Sequence, residues 1–155
     1  MEQANAGVQS REKPFLALGR FYPVAPEKVW RAWTDAEAIK RWWGPTPGEP
    51  VSLAELDVRV GGRFRIVFGG ADGRMHECAG VYREVVPNRR LSFTWHWPNS
   101  TPERVSVVTI TFRAARGGTE LDFRHEQLFD EKARDDHKRG WTGALASLEE
   151  FLKSQ

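Results

Sequence analysis

From Val51 to Glu126 apolar residues recur at every second position, segment after segment, with turn-forming residues between the segments. A period of two is the mark of a strand with one buried face and one wet face, and it cannot be satisfied by a helix. In "GGRFRIVFGG", Phe64, Ile66 and Phe68 share one face while Arg63 and Arg65 share the other. "RLSFTWHW" sets Leu91, Phe93, Trp95 and Trp97 against Ser92, Thr94 and His96. "ERVSVVTITFRAA" groups Val108, Ile110 and Phe112, backed by Thr109 and Thr111. "GTELDFRHE" groups Leu121, Phe123 and His125 against Glu120, Asp122 and Arg124. With "VSLAELDVRV" and "RMHECAGVYREVV" this makes six strands of a one-sided antiparallel sheet. Gly61-Gly62 reads as a two-residue hairpin turn, Gly69 to Gly73 as a glycine-rich turn, and Pro87-Asn88 as a strand break.

The flanks of this block are different. "FLALGRFY", Phe15 to Tyr22, has the content of a first strand. In "PVAPEKVWRAWTDAEAIKRWW" Pro26 and Glu27 suit a first helical turn, and Val29, Trp30 and Trp33 recur at helical spacing. Thr34 or Asp35 then caps a second short helix, Ala36 to Trp42, which Gly44-Pro45 ends. Trp42 and Trp43 diverge by about 100° on that helix, so one is expected as a packed staple and the other, Trp43, at a rim. At the C-terminus "DEKARDDHKRGWTGALASLEEFLKSQ" is a long amphipathic helix whose stripe is Trp141, Ala144, Leu145, Leu148, Phe151 and Leu152.

A curved antiparallel sheet of about seven strands, covered on its apolar face by one long helix, accounts for this order and predicts an α+β fold. Gly61, Gly62 and Gly80 are placed to help the sheet bend. A bent sheet wrapped on a helix leaves a hollow, so a ligand cavity is expected between them. A chain of 155 residues is one domain, set at 14–155 behind a lead-in at 1–13 expected to be disordered.

Composition narrows the function classes. Lys+Arg number 23 and Asp+Glu 21, with no run of one sign, so neither nucleic acid nor a membrane is the expected partner. Cys78 is the only cysteine, which excludes an internal disulfide and suits a reducing, cytoplasmic setting. The N-terminal stretch has no apolar core of a signal peptide, and no apolar run nears 18 residues.

"APEKVWRAWTDAEAIKRWWGP", "LDVRVGGRF", "GVYREVVPNRRLSFTW", "VTITF", "GTELDFRHEQL" and "GWTGALASLEEFL" together resemble the START-like, or SRPBCC, helix-grip superfamily. More narrowly they are similar to the bacterial family homologous to the C-terminal domain of the activator of the ninety-kilodalton heat-shock protein's ATPase. The resemblance runs from about Phe15 to Phe151 and keeps the motif order. It implies seven antiparallel strands gripping a C-terminal helix, two short helices after the first strand, and a hydrophobic cavity. It implies less about activity, since relatives include lipid carriers, hormone receptors, polyketide cyclases and chaperone regulators. The eukaryotic activator carries an additional N-terminal domain, and residues 1–13 are too short to be one.

Candidate chemistry is sparse. His76 and Cys78 share a strand face, but two ligands do not make a metal site, and i, i+2 neighbours stand parallel rather than as a nucleophile–base pair. His125, in line with Leu121 and Phe123, is either a ligand anchor or a core histidine satisfied by a backbone carbonyl. His137 shares the inward stripe with Trp141, and whether it meets His125 at a cavity mouth is open. Glu77 and Glu84 fall on a mostly apolar strand, and the family pattern also has an acid at Glu84. Asp135-Asp136, Glu149-Glu150 and Arg89-Arg90 read as solvated surface. "VGGRF" is no phosphate loop, lacking the Lys-Ser/Thr and the following helix.

The expected cavity lining is therefore aromatic and aliphatic: Trp43, Phe64, Ile66, Phe68, Phe93, Trp95, Trp97, Ile110, Phe123, Trp141 and Leu145, with His76, Cys78, His125 and His137 as its polar members. The favoured function is a binding protein for a small hydrophobic or aromatic molecule, as a monomer or homodimer, with no cofactor and no metal. The alternative is a cyclase, dehydratase or hydrolase using His76, Glu84 or His125 in acid–base roles. A chaperone-linked stress role, with a chaperone as partner, is the third reading.

Overall fold

Seven strands and three helices follow in a single chain, in a computed structural model that describes residues 13–44, 51–70 and 72–155. Strand β1 spans Leu16–Tyr22, helix α1 Pro26–Thr34 and helix α2 Ala36–Trp42. Strands β2 (Val51–Leu56), β3 (Arg63–Gly69), β4 (Met75–Val86), β5 (Arg90–Trp97), β6 (Thr101–Ala115) and β7 (Gly118–Glu126) follow, and helix α3 covers Glu131–Lys153. Residues 1–12 of the expected lead-in, Ala71 of the glycine-rich turn and Pro45 of the expected helix stop lie outside the described residues.

The sheet order is β1-β7-β6-β5-β4-β3-β2, antiparallel throughout. Strands β2 to β7 thus form a meander in chain order, and β1 is added at its far edge beside β7. The apolar members of each alternation lie inside: Phe64, Ile66, Phe68, Leu91, Phe93, Trp95, Val108, Ile110, Phe112, Leu121 and Phe123 are all buried. Helix α3 lays Trp141, Ala144, Leu145, Leu148 and Leu152 against them. This is the helix-grip α+β fold. Among the described residues no helix is long and apolar enough to cross a membrane.

Specific polar contacts set the helices in place. Pro26 occupies the first turn of α1, where its missing N–H has no partner to lose. Asp35, rather than Thr34, caps α2, its carboxylate accepting from Glu37 N at 3.1 Å, while the Thr34 hydroxyl donates back to Trp30 O. Asp130 caps α3 by accepting from Ala133 N at 2.8 Å. The Tyr22 hydroxyl, buried at the end of β1, donates to Leu145 O at 3.1 Å and ties the first strand to the last helix.

Two strand expectations need correction. The segment "VSLAELDVRV" is not strand throughout: β2 ends at Leu56, and residues 57–62 form a longer connection rather than a two-glycine hairpin. The glycines are engaged elsewhere, since Gly61 N donates to Tyr82 O and Tyr82 N to Gly62 O, both at 2.9 Å. The second correction is Glu84. Its strand register shifts between Tyr82 and Glu84, where Tyr82 pairs with Phe93 but Glu84 pairs with Ser92. One extra residue, Arg83, reverses the alternation. Val85 therefore takes the inward course opposite Leu91, and Glu84 turns outward to an exposed ion pair with Arg90 at 2.7 Å. Glu84 is not a cavity acid.

Candidate functional site

The paired tryptophans at the end of α2 do different work. Trp42 is 1% exposed and its indole N–H donates to Ala32 O at 2.9 Å, pinning α2 to α1. Trp43 caps the same helix with extended backbone; its ring lies beside that of Trp42 at 5.5 Å and reaches on to Trp95 at 6.1 Å and Trp141 at 5.5 Å. There it borders a hollow of about 650 Å³ that opens to solvent at one end of the sheet.

Five parts of the chain wall this hollow. Trp43 and Gly44 come from the end of α2, Phe68 and Gly70 from the end of β3, and Asp72 and His76 from the β3–β4 connection and the start of β4. Trp95, Trp97 and Ser100 come from the end of β5 and the turn after it. Helix α3 adds Asp136, His137, Arg139, Gly140, Trp141 and Ala144. The rings are in mutual contact: Trp95 lies 5.1 Å from Trp141 and 5.3 Å from Trp97, and Phe68 lies 6.2 Å from Trp97. Gly140 and Ala144, one turn apart, keep the helix surface low where it faces the space.

Of the expected lining residues, Trp43, Phe68, His76, Trp95, Trp97, His137 and Trp141 border the hollow. Phe64, Ile66 and Phe93 border instead a void of about 10 Å³ deeper in. Cys78, Ile110, Phe123, His125 and Leu145 are packed into the core, and burial pushes the Cys78 thiol well up, away from a reactive thiolate. Sequence reasoning missed Gly44, Gly70, Asp72, Ser100, Asp136, Arg139, Gly140 and Ala144. Most of these sit in turns or on the polar side of a helix end, where no alternation marks them; a glycine inside a helix, Gly140, was the readable signal.

Two histidines, His137 bordering the hollow and His125 buried in the core, are each fixed by a tryptophan of this wall. Trp97 Nε1–H donates to His137 Nε2 at 3.0 Å, so the imidazole carries its proton on Nδ1 and donates it to Ala133 O at 2.7 Å. Trp141 Nε1–H donates to His125 Nδ1 at 3.1 Å, so that imidazole is protonated on Nε2 and donates to the Ser106 hydroxyl at 2.7 Å. Ser106 in turn donates to Trp95 O at 3.3 Å. His125 is thus a satisfied core histidine, though by side chains rather than by a backbone carbonyl. Ser106 stands on the same parity as Val108 and Ile110 and is buried, an inward polar residue that the sequence reading did not single out.

The two rings lie 5.1 Å apart, edge to face. Burial pushes the pKa of each imidazole below its ordinary value, most strongly for His125, and His137 lowers His125 further. A folded-state value below the unfolded one means that the unfolded chain takes up these protons first on acidification. Stability is therefore level above about pH 6.5 and declines below it, by up to about 1.4 kcal/mol per pH unit for each histidine. Asp72 and Asp136 are held below the usual carboxylate range by their hydrogen-bond partners and do not contribute in that window. Urea unfolding at about pH 7.5, 6.5 and 5.5 checks this; equal stabilities across the series would mean that the imidazoles take up protons at the same pH in the folded as in the unfolded chain.

At the mouth, His76 Nε2 faces the Asp72 carboxylate at 3.1 and 3.2 Å, and Arg74 N donates to Asp72 Oδ1 at 2.9 Å. Asp136 takes Lys132 Nζ at 2.9 Å and also pairs with Arg139. Among the described residues, the indole N–H groups of Trp33 and Trp95 are buried with no acceptor. Among the described residues no three His, Cys, Asp or Glu side chains converge as a metal site would require.

A seven-stranded sheet gripping a terminal helix, with an aromatic hollow left open at one end, defines a START-like protein of the SRPBCC superfamily. The family model described as "Activator of Hsp90 ATPase homolog 1-like protein" matches residues 23–153, and the chain belongs to that family. A solved structure from Nitrosomonas europaea is 28% identical with a TM-score of 0.76, covering 90% of this chain and 94% of the other. One from Chromobacterium violaceum is 29% identical with a TM-score of 0.78, covering 87% and 94%. The AHSA1 protein of Silicibacter pomeroyi is 26% identical with a TM-score of 0.78, covering 90% and 98%. No curated protein matches the sequence.

Proposed function

We propose that the chain binds a small, largely apolar aromatic molecule in the hollow between β3, β5 and the N-terminal half of α3. The observation that carries this is a space of about 650 Å³ walled by Trp43, Trp95, Trp97, Trp141 and Phe68. That volume lies within the range of sites for drug-sized ligands, and an aromatic wall with a few polar groups at its rim is their usual composition. The test is a titration of the protein with naphthalene- and flavone-sized compounds, followed by tryptophan fluorescence and native mass spectrometry. Micromolar or tighter binding is expected for some of them. Gly140→Leu, which puts a side chain at the hollow and improves helix propensity, is expected to abolish that binding without lowering Tm. Failure of every such compound to bind would overturn the reading.

One observation favours a second reading. An imidazole whose Nε2 is held by a carboxylate, at the rim of an apolar space, has the form of an oriented general base. On this reading His76, positioned by Asp72, moves a proton to or from the bound molecule. His125 is consumed by Ser106 and Trp141, and Glu84 faces away, so neither takes part. Chemical conversion of a bound compound that disappears in His76→Gln while binding persists would support it; unaltered recovery of every bound compound would not.

A further inference from the structure

Trp97 and His137 meet on the wall of the hollow, and their contact depends on a single proton. Both border the space and both are half-buried. His137 Nε2 accepts from Trp97 Nε1–H at 3.0 Å while Nδ1–H donates to Ala133 O at 2.7 Å, so a neutral imidazole satisfies both partners. A proton added to this ring goes to Nε2, where it stands against the indole N–H. Two donors then face each other with no acceptor between them. Ala133 O keeps its bond, so the conflict falls on Trp97. That side chain has room to yield, since it stands at the end of β5 beside Trp95 at 5.3 Å, Phe68 at 6.2 Å and His76 at 6.4 Å, on the open side of the hollow. The second pair, Trp141 and His125, lacks that freedom. Both are buried, and Trp141 is enclosed by Trp33, Trp43, Trp95 and Phe123.

The charges around the pair direct the proton to His137. On its own helix Asp136 precedes it, holding Lys132 and Arg139, and Arg134 is turned to Asp135 at 3.2 Å. From β7 His125 faces it at 5.1 Å, so the two rings do not both become cations, and the more deeply buried His125 is the one that stays neutral. From β4 His76 stands beyond the Trp97 ring, against the Asp72 carboxylate. Among the described residues β5 presents the uncharged rings of Trp95 and Trp97. We propose that the hollow is proton-gated through this contact: it holds its ligand while His137 is neutral, and releases it when acidification puts a proton on Nε2 and displaces the Trp97 indole from the wall. This rests on the binding reading above and supplies its regulation. A ligand packed on Trp97 in its present position favours the neutral imidazole. By linkage its affinity is full at neutral pH and falls as the pH drops through the folded-state titration of His137, which burial places below about 6.5.

The test measures the affinities of acetylnaphthalene and flavone, neither of which titrates, at about pH 7.5 and 5.0 on protein shown by circular dichroism to be folded at both. Wild-type protein is expected to bind at least about fivefold more weakly at the lower pH. His137→Gln offers Trp97 an amide oxygen that does not titrate, and is expected to bring the ratio of the two affinities within about twofold. His76→Gln is expected to keep the wild-type ratio, which separates the gate from the histidine at the rim. As a readout independent of either variant's folding, the Trp97 indole proton resonance of the unliganded wild type is expected to move upfield over the same pH range as its hydrogen bond is lost. Equal affinities at the two pH values in the wild type, a ratio that survives in His137→Gln, a ratio lost in His76→Gln, or an unmoved indole resonance each overturn the gate while leaving the binding reading intact. If neither probe binds the wild type at the higher pH, the binding reading falls and takes this proposal with it.

Discussion

Trp141→Ala is expected to destabilise the protein by about 3–5 kcal/mol, the range for removing a large aromatic side chain from a packed interior. Trp141 is 5% exposed and sits where α3 meets the sheet. Its ring touches Phe123 at 4.5 Å, Trp95 at 5.1 Å, Trp43 at 5.5 Å and Trp33 at 6.1 Å, so one truncation loosens contacts to β7, β5, α2 and α1 together. The loss has a polar part as well. Without the indole N–H, His125 Nδ1 is left as a buried acceptor with no donor, which adds a desolvation cost to the cavity cost. Trp141→Phe separates the two, since it keeps most of the ring and drops only the donor, and it should fall well below the alanine value. Guanidinium unfolding of the three proteins measures both. A loss under about 1 kcal/mol for the alanine variant would mean that Trp141 is not part of the packed core.

A comparably large effect is expected at a residue with no side chain. Gly80 lies on β4 where that strand crosses β5, and a Cβ there would stand 1.8 Å from Thr94 O and 2.7 Å from a Phe64 ring carbon. The carbonyl belongs to the neighbouring strand and cannot retreat unless β5 peels away. Close to this point the ladder already departs from regular pairing, with Val81 N donating to the Thr94 hydroxyl at 2.9 Å. The absent side chain is what lets β4 and β5 approach closely enough for the sheet to curl around α3. Gly80→Ala is expected to cost at least about 2–3 kcal/mol. Gly73→Asn is the control: its φ of +79° suits asparagine, nothing lies within 4 Å of its Cβ position, and the change should stay under about 1 kcal/mol. Similar losses at the two positions would show that the contact at Thr94 is not what constrains Gly80.

Much of the architecture was legible because one periodicity ran through most of the chain. Alternation assigns the inward apolar residues of β3, β5, β6 and β7, and the helical stripe of α3 follows its own period. It fails where the count slips. Arg83 is one residue too many for its partner strand, and nothing in "GVYREVV" announces the bulge that turns Glu84 outward. Alternation also says which face a ring is on but not how far along the barrel-like curve it sits. Phe64 and Phe68 are equivalent by period, yet Phe64 is locked between Tyr82 and Phe93 while Phe68 stands at the open end. The Asp72–His76 pair at the rim was invisible for a different reason, since it depends on how the turn after β3 folds back.

The pairing of β1 with β7 has a consequence for the order in which the molecule assembles. Leu16 lies opposite His125, and Tyr22 reaches Leu145, so the contacts of the first strand span more than a hundred residues. The meander β2–β7 is built from neighbours in the chain and closes short loops, whereas β1 and α3 close long ones. During synthesis the strand made first is the one that waits longest for its partner, and it completes the sheet only after β7 has left the ribosome. The loops that β1 and α3 close carry a larger entropic cost than the short ones of the meander, and the aromatic hollow, bordered by α3, depends on contacts closed at that cost.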